Sequence, residues 1–117
     1  MYELEQVWKV SEEGFYALRG GTNWASIEGH ASEWLEVAKA LRDRGRAHFA
    51  RVAVGEWRPG MGSTLWSPRN ACGPNDHVEL THDESLRLSE NIVRMLWEHD
   101  EECVRGRFNF DPIHLGA

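Results

Sequence analysis

The chain has 117 residues, 41% of them hydrophobic and 27% charged, which suits one ordinary globular domain. Nineteen acidic against thirteen basic residues leave a net charge of −6, which argues against a primary role in gripping a phosphate backbone and favours a neutral or basic protein partner. The N-terminus, Met1-Tyr2-Glu3-Leu4-Glu5, lacks the basic and apolar runs of a secretory signal, no stretch approaches membrane-spanning length, and two distant cysteines make no disulfide framework. These features predict a cytoplasmic protein with reduced thiols.

In chain order, Tyr2, Leu4, Gln6 and Trp8 alternate with Glu3, Glu5 and Val7, predicting a half-buried strand over 2–8 with Trp8 on the face of Leu4. A turn at 11–14 returns the chain through a second arm at 15–19. Gly20 and Gly21 interrupt it, and Trp24–Glu28 is a shorter third strand candidate closed by Gly29. Ala31, Trp34, Leu35, Ala38 and Leu41 recur at helical spacing, with Gly45 suited to end that helix. Residues 46–55 read as one central strand, Ser63–Trp66 as another before Ser67-Pro68, and His77–Leu80 as a third. Thr81-His82-Asp83-Glu84 is a capping box in front of a helix over 82–99. The acidic run 98–103 is expected at a frayed, solvated end, and 105–112 as an extended tail or added strand.

Two helices that each need a covered face, with five or six short strands, predict a single α+β domain over 1–117. Its two layers are an antiparallel sheet with both helices on one side, in the order β-β-(β)-α-β-β-β-α.

Six tryptophans are the most informative feature. Indole is large, apolar and carries one N–H donor, so a small domain hides six of them with difficulty, whereas a contact surface uses them well. The segment 57–70 gathers Trp57, Arg58, Met61, Trp66, Arg69 and Asn70 about one expected hairpin, and Trp24 follows a glycine break. Tryptophan and arginine dominate binding energy at interfaces, so these seven are the candidate partner-binding residues.

No catalytic constellation, cofactor or metal is required by the spacing. Cys72, His77, His82 and Cys103 are of the right type for zinc but lack the close ligand pairs of a structural site. The primary expectation is an acidic, non-catalytic binding protein of inhibitor, antidote or immunity type, or one that self-associates as a homodimer through an aromatic sheet face. The alternatives are a metal-dependent hydrolase using His77, His82, Asp83 and Cys72, and a single-strand nucleic-acid binder stacking bases on the indoles near Arg51, Arg58 and Arg69. Net charge makes nucleic acid the less favoured partner, and no membrane is implied.

Overall fold

A computed structural model describes residues 2–9, 13–20, 27–55, 62–67 and 77–107. The elements are β1 (Glu3–Lys9), β2 (Gly14–Arg19), β3 (Glu28–His30), α1 (Ala31–Asp43), β4 (Ala47–His48), β5 (Ala53–Val54), β6 (Ser63–Trp66), β7 (His77–Leu80), α2 (His82–His99) and α3 (Glu101–Arg107). The class is α+β and the sheets are antiparallel. Among the described residues there are, instead of one sheet of five or six strands, two, ordered β1-β2-β3 and β4-β5-β6-β7, and a third helix follows α2.

Within the second sheet lies a turn that the sequence pattern concealed. Residues 46–55 carry no glycine or proline before Gly55 and read as one strand. In the structure the chain folds back on itself: Ala47 opposes Val54, His48 opposes Ala53, and the Phe49 N–H donates to the Val52 carbonyl at 3.0 Å. Two two-residue strands therefore replace the expected central one. The turn between them meets the other sheet, since a Cβ on Gly29 of β3 would lie 3.0 Å from Val52 Cγ2.

Each sheet turns one face inward. Leu4, Tyr16 and Leu18 from the first sheet join Val54, Leu65, Val78 and Leu80 from the second in one hydrophobic cluster with Trp34, Leu35 and Leu41 of α1 and Leu88, Ile92 and Leu96 of α2. Alternation along the strands makes this possible, because one residue in two faces the same way. The helices approach closely at small residues, and the Ser89 hydroxyl of α2 donates to the Ala38 carbonyl of α1 at 2.7 Å. The Trp34 indole N–H is satisfied inside the core by the Tyr16 carbonyl at 3.0 Å.

The helix ends obey local chemistry. Thr81 caps α2 as its sequence predicts: the Glu84 N–H donates to Thr81 Oγ1 at 3.1 Å, and the Thr81 N–H donates to Glu84 Oε1 at 3.0 Å. α1 ends differently from expectation. The left-handed residue is Arg44, with φ 59°, and the Gly45 N–H returns to the Ala40 carbonyl at 2.9 Å. Gly62, with φ 79°, leads into β6 where a Cβ would stand 2.0 Å from the Leu80 carbonyl oxygen, so only glycine fits this approach to the start of α2.

The acidic stretch 98–103 is exposed at Glu98, His99, Glu101 and Glu102 as expected, but it is not a frayed end. Asp100 is 1% exposed and joins α2 to α3, whose Cys103 and Val104 enter the core. Arg105 and Arg107, expected in an extended tail, are helical; residues 108–117 lie outside the described residues.

Candidate functional site

Of the seven partner-binding candidates, Trp66 alone falls among the described residues. Trp24, Trp57, Arg58, Met61, Arg69 and Asn70 lie outside them, as does Cys72. Trp66 ends β6, opposite Ala53 of β5 and His77 of β7. Because Leu65 beside it is core, alternation directs Trp66 outward, where it is 44% exposed. His48, Ala53, Trp66 and His77 thus form a row across the outward face of the second sheet.

The remaining metal candidates are dispersed. His77 begins β7, whereas His82 opens α2 with its Nε2 3.2 Å from Arg44 Nη2, and Cys103 is buried on α3. Asp83 sits in the first turn of α2, 3.7 Å from Arg87, where a carboxylate suits the helix dipole. Among the described residues no three His, Cys, Asp or Glu side chains gather around a common point.

A second outward cluster was not legible in the alternation of the first strand. Gln6 opposes Tyr16 and Trp8 opposes Phe15, so Val7 is an extra residue, a bulge that reverses the facing of whatever follows it. Trp8 therefore leaves the face of Leu4 and Gln6, against expectation, and joins Phe15 on the other side. The two rings stack with centroids 5.0 Å apart and planes 4° from parallel. His30 of β3 meets both edge-on, at 5.8 Å from Trp8 and 5.1 Å from Phe15. From the turn between β4 and β5, the Arg51 guanidinium stands 5.1 Å from the Phe15 centroid, a cation–π contact that brings the outward faces of the two sheets together.

Phe15 is buried beneath this group, while Trp8 is 42% and Val7 48% exposed. Among the described residues the surface thus presents two open indoles, Trp8 and Trp66, one on each sheet and each on the side away from the helices. Trp97 is half-buried against the core, with Arg105 over its ring at 5.1 Å.

Across the hairpin from Phe15, Tyr16 points inward to a closed polar site. Asp100 accepts from the Gly14 N–H at 3.0 Å and from the Tyr16 hydroxyl, and it faces Lys9 Nζ at 3.3 Å. Lys9 Nζ also donates to the His99 carbonyl at 2.6 Å. Burial, then the hydrogen bond to Asp100 and its negative charge, push the Tyr16 hydroxyl far above the usual tyrosine range, opposed in part by Gln6, which donates to that oxygen. This arrangement keeps the phenol neutral and the carboxylate compensated. It ties the first hairpin to the junction of α2 and α3, with the Asp100 side chain fully buried.

Among the described residues no helix is long and apolar enough to cross a membrane. No protein-family model matches the chain, and comparison with curated proteins and with solved structures likewise gives no match.

Proposed function

We propose that the chain is a small non-catalytic binding protein of the cytoplasm, of inhibitor, antidote or immunity type, that recognises a protein partner through the outward faces of its sheets and the segment 57–70. The observation that carries this reading is the 44% exposure of Trp66 on a strand whose neighbour Leu65 is fully buried. An indole held outward on a fixed strand offers a large contact area with little conformational entropy to lose on binding. Trp8 adds a second on the adjoining sheet, and the sequence places Trp57, Arg58, Met61, Arg69 and Asn70 close to Trp66 along the chain. A net charge of −6 directs the choice of partner toward basic surfaces.

Affinity capture from the source cells tests this reading, with wild type and Trp66→Ala compared side by side and melting temperatures measured on both. Wild type should retain a partner in stoichiometric amount, and Trp66→Ala should lose it while melting within a degree or two of wild type. Equal capture by both proteins would refute the role given to this face.

A further inference from the structure

The outward side of the β1–β3 sheet places an open ring face beside several carboxylates. Trp8 gives one ring face to Phe15 and stays 42% exposed, so its other face is open to solvent. Register sets Glu3 and Glu5 of β1 and Glu28 of β3 on this same side, about Ala17, with Arg19 the basic side chain among these strand positions. Arg19 is already held by Glu5 at 2.9 Å.

Negative charge continues at the rim beside His30. The Ser32 N–H donates to Glu13 Oε1 at 2.6 Å and the His30 N–H to Glu33 Oε1 at 3.0 Å, so the positive end of α1 is covered by the protein's own carboxylates. Glu33 Oε2 is shielded from water and accepts no hydrogen bond. Carboxylates outnumber the Arg19 and Arg51 guanidiniums on this side, so a cation arriving here is favoured over an anion. The cluster is also suited to a guanidinium, because Arg51 already lies over the Phe15 ring within it.

We propose, building on the binding role above, that this face seats an arginine of a basic segment on the protein partner. The guanidinium rests on the open face of Trp8 in the field of Glu5 and Glu28. Arginine is favoured over lysine because its planar, weakly hydrated cation stacks on an aromatic ring and pairs with a carboxylate at the same time.

The probe is a capped ten-residue peptide of alternating arginine and serine, with lysine and glutamate counterparts, titrated into isotopically labelled full-length protein. The Trp8 indole resonance, assigned from Trp8→Phe, and the amides of Phe15 and His30 should shift with the arginine peptide, less with lysine, and not with glutamate. Trp8→Ala should weaken arginine binding roughly tenfold. The double variant Glu5→Gln/Glu28→Gln, which leaves the rings in place, should weaken it roughly threefold for each carboxylate.

No shift at Trp8, shifts confined to the acidic surface of α2 and α3, or equal binding of the glutamate peptide would overturn the assignment. So would a Trp8 resonance that moves with protein concentration while the mass in solution doubles, since the occupant would then be a second copy. The broader binding role is judged by Trp66→Ala in partner capture and survives or fails independently of these peptides.

Discussion

Phe15 and Tyr16 are neighbours in sequence and belong to opposite sides of the molecule. Tyr16 is wholly buried, and its hydroxyl, the Gly14 N–H and Lys9 all converge on Asp100. Phe15 lies under Trp8, His30 and Arg51, in a group that ends at an open indole. Around Asp100 the inward side meets the Gly14, Tyr16 and Lys9 donors with its own carboxylate, so it serves stability. The outward side leaves a ring face of Trp8 open beside Glu5 and Glu28, so it can serve recognition.

The contrast is broken hardest by Asp100→Ala, which strands two donors and an ammonium group around an emptied site. A loss of about 3 kcal/mol is expected in urea unfolding. Gly14→Ala strikes the same site without removing a partner: its Cβ would stand 2.7 Å from Asp100 Oδ2, and the displacement should cost about 2 kcal/mol.

Tyr16→Phe should cost about 1 kcal/mol at neutral pH. Its larger signature lies in alkali. With the folded value raised above the unfolded one, near 10 for tyrosine, the contribution is complete below that pH. Above pH 10 the unfolded phenol ionises while the folded one does not, so wild type should lose about 1.4 kcal/mol per pH unit relative to Tyr16→Phe. Parallel stability curves for the two proteins between pH 9 and 11 would contradict the buried phenol.

Trp66→Ala defines the other extreme, with stability changed by no more than about 0.5 kcal/mol and the effect reserved for binding. A fall as large as that of Gly14→Ala would show that the outward face holds the fold together and would erase the division between the two sides.

Features fixed within one turn of chain were legible from the residues. The Thr81-Glu84 box, the apolar stripes of α1 and α2 and the strands at 3–9, 63–66 and 77–80 depend on neighbours only a few positions away. What escaped depends on distant partners. Val7 is a bulge only because Tyr16 and Phe15 accept Gln6 and Trp8 in turn, and nothing in the alternation of residues 2–8 announces that shift. Asp100 reads as a surface acid until Gly14, Tyr16 and Lys9 are brought to it across more than eighty residues of chain. The reversal at 49–52 lacks the glycine, proline or asparagine that usually marks a turn, and its Val52 is held by packing near Gly29 of the other sheet. The aromatic surface was thus half visible: Trp66 was among the residues expected at a contact face, whereas Trp8 was expected beside Leu4 and its group required the register.

Gly62 carries a consequence for how this sequence tolerates change. Its missing side chain lets β6 begin against the Leu80 carbonyl and the first amide of α2, at separations no Cβ survives, and its positive φ adds a second penalty to any replacement. Gly45, with open space around its absent Cβ, carries no comparable steric demand. A saturation library selected for folded protein should therefore return glycine at 62 and a broad mixture at 45, which makes the entry to β6 a fixed point in any redesign of the neighbouring outward face.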